Sequence, residues 1–230
     1  MIQVAHNLLA SPLFLPLRSW KPFLAASLAI ALLLNADSAA AHHPFGSTTP
    51  DNWLTGFLSG LGHPVIGIDH LAFVIAAGCI AVLYAQRGWV IPVAFTLMTV
   101  LGTLVHLGEV NLPVPELVIS ASVLCFGVLL ALPQKLKLPM GAIAFLASLA
   151  GIFHGFAYGE AIFGAEMTPL VAYLAGFALI QLGIAIGVYN LATVLLAGHQ
   201  TAEQPRLPLR FAGFTLSGIG FAFLSGAILG

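Results

Sequence analysis

Six apolar runs, at 64–85, 90–108, 115–132, 138–158, 169–197 and 208–229, are separated only by short polar or proline-containing joints. Each run is near the roughly twenty residues that a helix needs to cross a hydrocarbon core, where every backbone polar group has to be satisfied within the segment. The joints, at 86–89, 109–114, 133–137, 159–168 and 198–207, are too short to hold a soluble module. The expected fold is therefore an all-α integral membrane protein, a bundle of six transmembrane helices over residues 63–230. Composition agrees, since 60% of the 230 residues are hydrophobic and 7% charged, against about a quarter charged in a typical soluble domain. Seven Lys plus Arg against eight Asp plus Glu leave a net charge of −1, with no basic stripe to hold a phosphate backbone, so nucleic acid is excluded as a partner. Cys79 and Cys125 each sit inside an apolar run and behave as small hydrophobes. The chemistry falls to histidine and carboxylate.

Ahead of the bundle, Arg18 and Lys21 precede a short apolar run from Phe23 to Leu34, followed by Ala39, Ala40 and Ala41. This is the pattern of a cleavable signal peptide over 1–41, cut after Ala40 or Ala41, because the run is too short to span. Residues 42–62 then form an extracytoplasmic segment with a short interfacial helix, on which Trp53, Leu54, Phe57, Leu58 and Leu61 share one face.

An exported N-terminus places the joints after the first, third and fifth runs in the cytoplasm. Those joints hold Arg87, Lys135, Lys137 and Arg206, with Arg210 just inside the last run. The opposite side carries Glu109, Glu116, Glu160 and Glu166 and no Lys or Arg. This is the asymmetry of the positive-inside rule, and it predicts a multi-pass protein of the plasma (inner) membrane with both termini extracytoplasmic. A three-plus-three division also makes any internal duplication an inverted one, although the two halves share no visible sequence similarity.

An ionisable side chain near the bilayer centre costs about 2.5 to 3.5 kcal/mol on insertion scales, so such residues face the bundle interior and have partners. Three sets stand out: His63, Asp69 and His70; His106 and Glu109; His154 and Glu160. On a continuous helix His63, Gly67, His70 and Val74 share a face, Asp69 stands about a third of a turn aside, and Gly67 leaves room for an ion or a neighbouring helix. The expected topology brings all three sets to the outer half of the bundle. Imidazoles and carboxylates without thiolate suit a borderline divalent ion such as Ni(II), Co(II) or Zn(II). Glu116 and Glu166 read as solvated loop residues, and Gln181 and Asn190 as packing polars.

Two segments resemble signatures of the HupE/UreJ membrane proteins, regarded as nickel or cobalt permeases. His63-Pro-Val-Ile-Gly-Ile-Asp69-His70 is similar to that family's first-helix motif, and Phe153-His154-Gly155-Phe-Ala-Tyr-Gly159-Glu160 to its second. The leader followed at once by His42 and His43 is also similar, and with the six-span layout the resemblance covers essentially the whole mature chain. In the family pattern a residue separates the last Gly from the Glu, whereas here Glu160 follows Gly159 directly and Gly164-Ala165-Glu166 comes shortly after. Glu160 is the favoured ligand because it is nearer the helix. The resemblance implies metal contact at His63, Asp69, His70, His154 and Glu160, and a transported nickel or cobalt ion.

The expected function is thus a secondary transporter, not an enzyme, with no prosthetic group. Its partners are the divalent ion, the lipid bilayer and a downstream metallochaperone; its oligomeric state is open. His42 and His43 are expected to capture the ion outside, and the site of His63, Asp69 and His70 to receive it, closed by His154 and Glu160, with His106 and Glu109 as further candidate ligands. Two alternatives remain at this point. A haem-binding electron-transfer protein would use His70 and His154 as axial ligands. An intramembrane zinc hydrolase would pair three protein ligands with a carboxylate base.

Overall fold

The computed structural model describes residues 49–132, 138–197 and 207–229. The leader and the paired His42 and His43 lie outside the described residues, as do Lys135, Lys137 and Arg206. Among the described residues the chain is all helix, without strands: α1 (Trp53–Ile66), α2 (Ile68–Ala81), a 3-10 turn (Val82–Arg87), α3 (Val90–Leu107), α4 (Pro115–Ala131), α5 (Met140–Glu160), α6 (Met167–Ala197) and α7 (Leu207–Leu229). Helices α3, α5, α6 and α7 are long and apolar enough to cross a membrane, and α1 with α2 and its following turn make one more crossing if the bent pair is a single span. Helix α4, with 17 residues, is apolar but shorter. This is a membrane protein.

The first apolar run departs from the sequence expectation in two ways. It does not begin at residue 63, because one helix runs unbroken from Trp53 to Ile66 and carries His63 in its last turn. Asn52 starts it: its side chain accepts from the Thr55 backbone N–H while the Thr55 hydroxyl accepts from the Asn52 N–H, a reciprocal cap. Nor is the segment a separate surface helix, since Gly56 and Gly60 press α1 onto the backbone of α6 at Pro169 and Tyr173. The second departure is a break at Gly67 (φ −70°, ψ 101°), where the chain turns by 78° before α2 begins. Pro64 does not cause it, since a proline blocks the turn that precedes it. Glycine at 67 permits it: a Cβ there would stand 2.6 Å from Cδ2 of the His70 ring.

Three pairings dominate the bundle: α3 along α5, α4 along α7, and α1 along α6. Apolar surface gives helices little reason to associate inside lipid, so close van der Waals approach has to do so, and small residues permit it. Gly151, Gly155 and Gly159 recur every fourth residue on α5 and admit α3; at Gly155 the Thr99 backbone fills the place of a Cβ. The Thr103 hydroxyl then donates to the Gly155 carbonyl at 2.8 Å. Gly127, Gly213 and Gly220 play the same part between α4 and α7. Gln181, fully buried on α6, donates to Thr99 Oγ1 and to the Phe177 carbonyl, the packing role expected of it. If α1–α2, α3 and α4 are exchanged for α5, α6 and α7, the α3/α5 pair becomes the α6/α1 pair and α4/α7 maps onto itself. The dominant contacts thus have the symmetry of two threes that the sequence did not reveal.

Candidate metal centre

The bend at Gly67 folds the end of α1 and the start of α2 around one buried point. His63 and His70, 3% and 2% exposed, bring their ring centroids to 5.9 Å although they no longer share a straight helix face. His154, wholly buried on α5, completes the group, with its Nδ1 2.8 Å from Nδ1 of His70 and ring centroids 4.9 Å apart. Phe73 and Phe95 pack against His154, with ring centroids at 4.8 and 5.5 Å, so aromatic rings enclose that end of the cluster.

Three residues that sequence reasoning did not single out hold the cluster together. Tyr158 lies edge-on to both His63 and His70, at 4.9 and 4.6 Å, and its buried hydroxyl has no hydrogen-bond partner among the described residues. Tyr173 on α6 donates from its hydroxyl to the Tyr158 carbonyl at 2.8 Å, and the same oxygen lies 3.0 Å from Nδ1 of His63. Ser122 on α4 donates to the Ile119 carbonyl at 2.6 Å and sits 3.1 Å from Nε2 of His154. Tyr158 was within reach of the sequence, because it follows His154 by four residues and so shares its face. Nothing local marks Tyr173 or Ser122, which arrive on other helices.

The remaining candidates divide. Asp69 stands in the first turn of α2, where the helix dipole favours a carboxylate. It is half-buried, and one oxygen accepts from the His70 backbone N–H at 2.8 Å. Glu160 is the last residue of α5 and is exposed, as are Glu109, Glu116 and Glu166. His106 does not join the three central imidazoles; its ring packs on Phe156 and Phe163, beside Gly159. Glu109, just beyond α3, has a positive φ of 58°, an unusual backbone state for a residue with a Cβ. Among the described residues no three His, Cys, Asp or Glu side chains stand in the geometry of a preformed metal site. What the fold supplies is a compact set of buried nitrogen donors, two of them hydrogen-bonded to each other, with a carboxylate at the adjoining helix start.

The chain matches the family described as HupE / UreJ protein over residues 30–223. It is similar to Protein HupE of Rhizobium leguminosarum bv. viciae, with 28% identity over 172 residues that cover 74% of this chain and 85% of that protein. No solved structure matches.

Proposed function

This chain belongs to the HupE/UreJ family, and we propose that it is a secondary transporter that imports Ni(II) or Co(II) through the cluster around His70. The observation that carries this reading is the meeting of His63, His70 and His154 at a helix break inside an apolar bundle. Three buried imidazoles in a membrane protein are costly and call for a ligand, and imidazole with carboxylate matches a borderline divalent cation. A discontinuous helix beside the site is the usual construction in transporters, where an unwound turn lets backbone and side chains reach the substrate. Here the broken crossing and α5 are the counterparts of each other in the pairing of the two halves, and the cluster lies between them.

In this reading α4 also crosses, giving six spans; at about 1.5 Å per residue its 17 residues reach about 25 Å, close to the thickness of the core with a little local thinning. Arg87 and Arg210 then mark the cytoplasmic side, both termini lie outside, and the leader is removed. His42 and His43 collect the ion, His63, Asp69 and His70 receive it with His154 hydrogen-bonded to His70 beside them, and Glu160 closes the shell when the ion arrives. The loose arrangement suits transport, since a site that holds its ion too tightly does not release it. No feature of the cluster favours a haem, whose two axial imidazoles must stand on opposite sides of an iron rather than 2.8 Å apart, nitrogen to nitrogen.

The test is uptake of radioactive nickel, with cobalt and zinc as competitors, in cells expressing the wild type, His70→Ala or His154→Ala at equal membrane levels. Accumulation by the wild type and loss in both variants is expected. A wild type that adds nothing above background, while the purified protein still binds nickel, would replace the permease with a metal enzyme or sensor.

A further inference from the structure

We propose that His154 is a positioning residue rather than a ligand, and that Ser122 and Tyr173 fix the ring tautomers so that His63 and His70 both offer Nε2 to the ion. The inference rests on the reading of this cluster as the cation site, and it follows from counting protons along two hydrogen-bonded chains.

The first chain begins on α4. The Ser122 oxygen carries one proton and faces the Ile119 carbonyl at 2.6 Å and Nε2 of His154 at 3.1 Å. A carbonyl has no hydrogen to give, so the shorter contact takes the hydroxyl proton, and Nε2 of His154 must bring its own. A neutral imidazole with a proton on Nε2 has a bare Nδ1. Nδ1 of His70 is 2.8 Å away, and two bare nitrogens repel at that distance, so the His70 nitrogen carries a proton and donates it. The basic nitrogen of His70 is therefore Nε2. Both nitrogens of His154 are consumed, one as donor to Ser122 and one as acceptor from His70, which leaves it no lone pair for a cation.

The second chain begins on α5. Tyr158 contributes one of the last carbonyls of its helix, which the helix cannot satisfy itself. The Tyr173 hydroxyl donates its only proton there, at 2.8 Å. Nδ1 of His63, 3.0 Å from the same oxygen, must then be the donor, and Nε2 of His63 the basic nitrogen. Both chains start at a backbone carbonyl and end at Nε2 of a first-span histidine. An acceptor on the far nitrogen is the arrangement that orients a metal-binding imidazole and raises its basicity.

The experiment uses the full chain in lipid nanodiscs with nitrogen-15 histidine, first metal-free and then with nickel chloride. Protons on Nδ1 of His63 and His70 and on Nε2 of His154 are expected, with Tyr173→Phe disturbing His63 alone. Nickel affinity should fall by roughly 10- to 100-fold in His154→Ala, and stay close to wild type in His154→Asn, whose amide oxygen can replace the Nδ1 acceptor. A proton on Nδ1 of His154 in the metal-free protein overturns the inference. Equal loss of affinity in His154→Asn and His154→Ala, or nickel bound to His154 itself, overturns it while leaving the permease reading intact. No nickel binding by any form overturns both.

Discussion

Replacing Gly67 by alanine separates the geometry of the cluster from the stability of the bundle. The new Cβ would stand 2.6 Å from Cδ2 of His70, where ordinary contact begins at 3.4 Å, so the ring must retreat by about 0.8 Å. A ring displacement of that size spoils the 2.8 Å His70–His154 contact, because a hydrogen bond tolerates only a few tenths of an ångström and a limited range of angle. The lost bond costs about 0.5–1.5 kcal/mol. Alanine offsets much of it, because the backbone at Gly67 (φ −70°, ψ 101°) is one alanine can adopt, and a Gly→Ala change there gains about 0.4–1 kcal/mol by leaving the unfolded chain less freedom to lose. The melting temperature of Gly67→Ala should therefore stay near that of the wild type. Nickel handling should not, because a displaced ligand or its supporting partner typically lowers affinity by about 10- to 100-fold. The assay pairs nickel uptake at matched expression with a thermal melt in detergent. Wild-type uptake by Gly67→Ala would refute the claim that the close packing of Gly67 on His70 positions the metal ligand.

Gly155→Val should act in the opposite way, lowering the yield and melting temperature of the membrane-inserted protein by an overpacking penalty of about 1–3 kcal/mol, since the Thr99 backbone occupies the space required; an unchanged melt would contradict the α3/α5 contact. Glu160→Gln should reduce uptake several-fold while Glu166→Gln leaves it unaltered, and uptake assays with the effects exchanged would make Glu166 the ligand. Acidifying the outer medium should weaken nickel uptake, because imidazole and carboxylate bind metal only when deprotonated; uptake that rises with acidity would point instead to proton-driven coupling that outweighs the ligand effect.

Much of the molecule was legible along the chain. Apolar runs at 90–108, 138–158 and 169–197 became α3, α5 and α6 within a few residues, because a run that long and that apolar has few stable alternatives to a buried helix. His63, His70 and His154 were singled out for the same reason, since polar groups that are costly in lipid stand out against it. The helix break was harder to see. A straight helix would also bring His63 and His70 to one face, so the pattern was compatible with both, and the decisive contact is between Gly67 and a ring that has to be placed first. His106 shows the limit of spacing: three residues from Glu109 it reads as half of a ligand pair, and only the fold shows that its ring packs on Phe156 and Phe163, apart from the three central imidazoles.

The sequence by itself determined that this chain is helical, lies in a membrane and keeps its chemistry on a few histidines, because hydropathy and the cost of charge in lipid are properties of each segment alone. Tertiary structure alone decided which of those histidines meet, which nitrogen each presents, and that Tyr173 and Ser122 have a part in it. Hydrogen bonds between residues 32, 84 and 110 positions apart depend on how helices with nearly uniform apolar surfaces choose their neighbours. That choice is made by the close approach of small residues across helix pairs, which no single helix encodes.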